Sequence, residues 1–217
     1  MFQVVVNDLD FERRRIFSMW FSRPVGIALT LTASAIAFPA LSAPKSPGDH
    51  PNDQTTAFSN YVSDDGEIRL PKDFRTRFVH LGSFFVPEEP GAAGPGLHDV
   101  YTQRATVKAY RETGQFPDGA VLVKEVRHTD SEPLATGTAH WGTDVGVWFV
   151  MVRDRKDRFP DHPNFGGGWA WGLFKPDAPD TNVATSWKGE GFSNCYGCHL
   201  PAKKTDWVYV QGYPTLK

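Results

Sequence analysis

An α+β domain, with several antiparallel-looking strands and two or three helices, is the fold class that this chain predicts. Short runs rich in aromatic and β-branched residues recur along it, separated by Gly, Pro and Asp turn signals. Helix start and stop signals bracket residues 103–111, and a second helix is expected near the C-terminus. Residues 44–217 suffice for one domain with a real core, not comfortably for two.

Residues 1–43 read as a signal peptide rather than as part of the fold. Arg13, Arg14, Arg15 and Arg23 form a basic region, residues 25–38 an apolar one, and Ala40-Leu41-Ser42-Ala43 a cleavage site. The alternative, an uncleaved anchor, suits an apolar run of ~20 residues, which this one does not reach. Asp8, Asp10 and Glu12 are out of place in a leader, and a true start at Met19 would remove them. Export to the periplasm is the expectation. Residues 44–65 read as a poorly ordered arm, with Pro47, Gly48, Asp49, Pro51, Asn52 and Asp53 at its centre. The domain proper is expected over 66–217.

The first strand is expected over residues 74–86, a stretch rich in aromatic and β-branched side chains that follows Leu70-Pro71. Pro87, Pro90, Gly91, Gly94, Pro95 and Gly96 then mark a loop whose small and apolar residues could cover a ligand face. The helix over 103–111 takes Thr102 as its candidate N-cap and stops at Gly114. Phe116-Pro117-Asp118-Gly119 is turn chemistry. Further strands are expected over 120–126, 145–152, 169–174 (after Gly166-Gly167-Gly168) and 206–211.

The most specific signal is Cys195-Tyr196-Gly197-Cys198-His199. A Cys-x-x-Cys-His run is the attachment signature of c-type haem. Cysteines three apart on a helical turn project to one side, where both sulfurs reach the two vinyl groups. The adjacent histidine supplies the axial nitrogen. A structural zinc site needs four ligands, and the chain has no other cysteine to complete one. A thioredoxin-like pair would need neither the histidine nor an export signal. Both cysteines are taken by the motif, so no disulfide is expected. Charge excludes another class: 23 Lys and Arg against 25 Asp and Glu leave no basic excess for a nucleic-acid partner.

The other side of the iron is less defined. Only residues 200–217 follow His199, and none is Met. Met151, in an apolar strand, reads as core filler. His80, His98, His128, His140 and His162 are the candidates for a sixth ligand, each more often a surface or turn histidine. The balance favours a five-coordinate iron, which binds or transforms a small molecule rather than only carrying electrons.

Residues 114–125, Gly-Gln-Phe-Pro-Asp-Gly-Ala-Val-Leu-Val-Lys-Glu, preceded by Tyr101 and by residues 109–113, resemble the cytochrome P-460 family. So do Leu70-Pro71 with Phe74-Arg75, the C-terminal haem motif, and Lys204-Thr205-Asp206-Trp207-Val208 with residues 213–216. The resemblance implies a mainly antiparallel β domain around one covalently attached haem c, with five-coordinate iron. It also implies that Lys124 is joined through its side-chain nitrogen to the porphyrin edge, with Glu125 following it as in the family. Members with that bond oxidise hydroxylamine and nitric oxide, whereas the related β-type cytochromes c′, which lack the lysine, bind NO or CO. The physical requirement fits, because an attacking amine must be unprotonated and burial lowers a lysine pKa. The chemistry also asks for a distal carboxylate. Residues 148–152 are apolar throughout, which leaves Asp144, Asp154 and Glu190 as candidates.

Three functions compete. A hydroxylamine-oxidising enzyme would pass electrons to another cytochrome, an NO- or CO-binding protein would form adducts without turnover, and a plain electron carrier would show six-coordinate iron. They rank in that order, with the first two close. A homodimer is implied by the family alone.

Overall fold

The computed structural model describes residues 56–92, 94–188 and 195–217. The expected leader, the alternative start at Met19, the arm as far as residue 55, and Glu190 lie outside the described residues. No helix among the described residues is long and apolar enough to cross a membrane.

Among the described residues, six antiparallel strands form one sheet: β1 (Val79–Val86), β2 (Gly96–Thr102), β3 (Val121–Leu134), β4 (Gly137–Arg153), β5 (Phe165–Gly166) and β6 (Trp169–Phe174). Their order is β1-β2-β3-β4-β6-β5. Three short α-helices accompany them among the described residues: α1 (Phe74–Arg77), α2 (Arg104–Thr113) and α3 (Cys195–His199). The α+β class, mainly antiparallel, is what the sequence led us to expect.

Side-chain alternation gives the sheet two different faces. On one, Leu122, Met151, Trp169 and Trp171 join Cys195, Val208 and Tyr213 from the C-terminal segment. On the other, Val121, Val123, Val150, Val152 and Phe174 pack under Phe58, Tyr61, Val62, Phe74 and Phe78. Strand β3 belongs to both cores, one residue at a time.

Several expectations are corrected. The arm ends earlier than residue 65, because Phe58, Tyr61 and Val62 are buried under the sheet. The strand expected from residue 74 begins at Val79. Residues 74–77 make a helical turn instead, closed by the Phe78 N–H on the Phe74 carbonyl at 2.8 Å. That turn sends both Phe74 and Phe78 into the back core. Strand β2 occupies residues read as the end of the loop and beyond, and it pairs on both edges. Strands β3 and β4 run well past their apolar portions as a mutually paired ribbon with mostly exposed side chains. Main-chain pairing, invisible to hydrophobic periodicity, sets that length. Helix α2 starts one residue late, with Gln103 rather than Thr102 as its N-cap, and ends at Gly114 in the left-handed conformation (φ 70°).

The strand expected over 206–211 does not form. Asp206 and Trp207 both have positive φ, 59° and 66°. Trp169 Nε1 donates to the Asp206 carbonyl at 3.0 Å, and His199 Nδ1 lies 2.6 Å from the Trp207 carbonyl. Tertiary hydrogen bonds hold the segment in a conformation that its alternating sequence conceals. The glycine run 166–168 makes a two-residue hairpin between β5 and β6, with Gly167 and Gly168 at φ 64° and 79°.

Candidate functional site

A cavity of about 440 Å³ opens on the sheet face that carries Leu122 and Met151. Its volume lies in the range of cofactor sites, and its lining is mostly apolar. Cys195, Cys198 and His199 from α3 form part of its wall, facing Lys124 from β3 and Trp171 from β6. The structure therefore brings Lys124 together with the haem motif across a large separation in sequence.

Strand register explains the placement of Lys124. It pairs with Val100 on β2 and Phe149 on β4, and all three side chains line the cavity. Its Nζ stands 4.3 Å from the centroid of the Phe149 ring. By accessible area Lys124 is only partly buried, because it fronts the cavity. The surrounding protein still desolvates the ammonium and pushes its pKa down, with Cys198 and Cys195 opposing. One residue on, Glu125 is 1 % exposed on the opposite face. There it accepts hydrogen bonds from Arg75 and from Trp148 Nε1 (2.8 Å), with Arg127 Nε 3.2 Å away.

His199 has the setting of an axial ligand. A carbonyl only accepts, so the Trp207 contact places the proton on Nδ1 and leaves the Nε2 lone pair unprotonated. The ring packs edge-on against Trp171, centroids 4.8 Å apart. Trp171 is fixed in turn by its Nε1 donating to the Gly166 carbonyl and by stacking on Trp187 at 6.1 Å. Tyr209 lies on another side of the imidazole and donates to the Cys198 carbonyl. Burial pulls the pKa of His199 to about 4, which keeps the ring neutral, as coordination requires. The Cys195 thiol is pushed up to about 12 by burial, so it is not a ready thiolate for a bare metal ion. No group of three or more His, Cys, Asp or Glu able to hold such an ion occurs among the described residues. A macrocycle held by the neutral His199 ring beside two cysteines suits these donors better than zinc does.

Of the histidines considered as a second ligand, only His98 lines the cavity. His80, His128 and His140 are exposed, and His162 packs against Phe159 and Phe165. Met151 is 7 % exposed and belongs to the core cluster, while also forming cavity wall. The carboxylate candidates fare differently from expectation. Asp144 is exposed on β4, and Asp154 is buried against Arg158 at 2.5 Å, away from the cavity. No Asp or Glu among the described residues lines it. Sequence reasoning missed Trp171 and the Trp207 carbonyl, which orient His199; no local pattern marks either role.

Comparison with the curated proteins returns no match. The family model Cytochrome P460 matches residues 71–210. That span runs from the segment before α1 to beyond the haem motif, and it includes Lys124. The chain therefore belongs to the cytochrome P460 family and is a haem protein of that kind.

Proposed function

We propose that this protein is an exported, periplasmic cytochrome that oxidises hydroxylamine and nitric oxide and passes the electrons to another cytochrome. The observation that carries the reading is Lys124: a desolvated lysine on the wall of the cavity into which the haem motif opens. On this reading Cys195 and Cys198 would hold a single haem c through thioethers, and His199 would hold its iron through Nε2. Such a haem would supply ligand-binding and electron-accepting chemistry at the cavity. Each protein group has a separate task. The Trp207 carbonyl and the Trp171 ring hold His199 in one tautomer and orientation. Lys124, whose desolvated amine loses its proton readily, would be the residue that holds the porphyrin edge through Nζ. Phe84, Val86, Val100 and Phe149 keep bulk water from the ligand side.

The test is Lys124→Leu in the haem-loaded protein. The absorption spectrum should become that of an ordinary c-type haem, and hydroxylamine-dependent reduction of a dye acceptor should be lost. An unchanged spectrum removes the cross-link. A second reading, capture of NO or CO without turnover, is favoured by the cavity lining, which holds no carboxylate among the described residues. It predicts gas adducts of the unaltered protein with no hydroxylamine-dependent reduction of an acceptor.

A further inference from the structure

His98 is a cavity-wall side chain that none of the tasks above employs. It lies on β2, cross-strand from Phe84 on β1 and Val126 on β3. It is half-buried, between the apolar cavity and solvent. Its Nε2 is 2.9 Å from the carbonyl oxygen of Gly94, in the connection between β1 and β2. A carbonyl cannot donate, so the ring proton resides on Nε2 and Nδ1 carries a lone pair. Nδ1 has no hydrogen-bond partner among the described residues. The charged groups that act on the ring are Lys124 from β3 and Asp99 from its own strand. The cavity residues offered by β1 and β4 nearby, Phe84, Val86 and Phe149, are uncharged. Burial first, and Lys124 second, pull its pKa below the ordinary histidine value, so the imidazole is neutral at pH 7.

We infer that His98 is the proton acceptor of this cavity, standing where no carboxylate is available. Its Nδ1 takes the proton that a ligand sheds on binding or on oxidation. The identity of the substrate rests on the reading above; the proton chemistry does not. For hydroxylamine, a ligand N–H or O–H bond breaks and an Nδ1–H bond forms. The electron leaves to the accepting cytochrome, and the imidazolium returns its proton to solvent. For hydrogen cyanide, the C–H bond breaks, the pair stays on carbon as cyanide, and the proton again goes to Nδ1, with no redox partner needed.

Hydrogen cyanide is therefore the probe, and carbon monoxide, which sheds no proton, is its control. Stopped-flow association of cyanide with the ferric holoprotein should fall as pH drops through a value below 6.5, because the base is then occupied. His98→Gln keeps an amide donor for the Gly94 carbonyl but lacks the base. It should slow cyanide association at least tenfold at pH 7 and abolish the pH limb, with association of CO to the ferrous form unchanged. Equal slowing of cyanide and CO would make His98 a steric gate and overturn the inference, as would an unaltered cyanide rate. A six-coordinate spectrum that His98→Gln converts to five-coordinate would make it a ligand instead. Should the variant not fold, a wild-type cyanide rate independent of pH between 5 and 8 overturns the inference by itself. Wild-type protein that shows the cyanide pattern yet never oxidises hydroxylamine keeps His98 and loses only the substrate. Hydroxylamine turnover that His98→Gln leaves intact, along with its cyanide rate, does the reverse.

Discussion

On the back of the sheet Glu125 is buried among Arg75, Arg127 and the Trp148 indole N–H, so its charge is matched and its oxygens are occupied. One residue earlier, on the cavity face, Lys124 has no carboxylate and no hydrogen-bond partner among the described residues, only the face of Phe149. The two side chains share a strand; Glu125 is fully buried, and Lys124, partly buried, is desolvated by the protein around it. Burial without partners costs stability unless something else selects for it. The back face is therefore organised for folding and the cavity face for chemistry.

The largest effects should separate the faces by spectrum rather than by stability. Trp171→Ala and Phe174→Ala each empty a fully buried aromatic site and should each cost about 3–5 kcal/mol in urea unfolding. Only Trp171→Ala should also disturb the haem absorption, because only Trp171 touches His199. Equal spectral changes in both variants would erase the division of labour.

Next in size is Glu125→Ala, which leaves the Arg75 guanidinium and an indole N–H without their acceptor and Arg127 without its ion-pair partner. Loss of charge-assisted hydrogen bonds should lower stability by about 1.5–3 kcal/mol. Part of that is recoverable by Glu125→Gln, and chemical denaturation of the three proteins provides the measurement.

The smallest effect has the opposite sign. In haem-free protein, Lys124→Met should raise stability at pH 7 by about 1 kcal/mol, because it removes a partly buried ammonium that has no hydrogen-bond partner among the described residues. The folded pKa of Lys124 lies below its unfolded value, so between the two the unfolded chain binds more protons and wild-type stability rises with pH. The advantage of the variant should shrink accordingly from neutral pH towards 10.5. A constant difference across that range would show that Lys124 is solvated in the fold.

Much of the site was legible in the linear chain. Cysteine spacing with the following histidine pointed to haem, and the stretch around Lys124 pointed to the family that the match over residues 71–210 establishes. Strands whose apolar runs coincide with their pairing, such as residues 121–126 and 169–174, were legible for the same reason: burial and hydrogen bonding demand the same residues there. Elsewhere the two demands part. The outer halves of β3 and β4 pair without being buried, and β2 is a strand because it has neighbours on both sides.

What the chain determined by itself was local: which residues cluster within a turn, where helices stop, and which chemistry a five-residue motif can carry. Register decided the rest. A slip of one residue in β3 would turn Lys124 outward and bring Glu125 into the cavity, since alternate residues face opposite sides. Only the packed sheet, with Glu125 tied to its arginines and the Trp207 carbonyl tied to His199, selects the arrangement in which the lysine, the histidines and the cysteines meet.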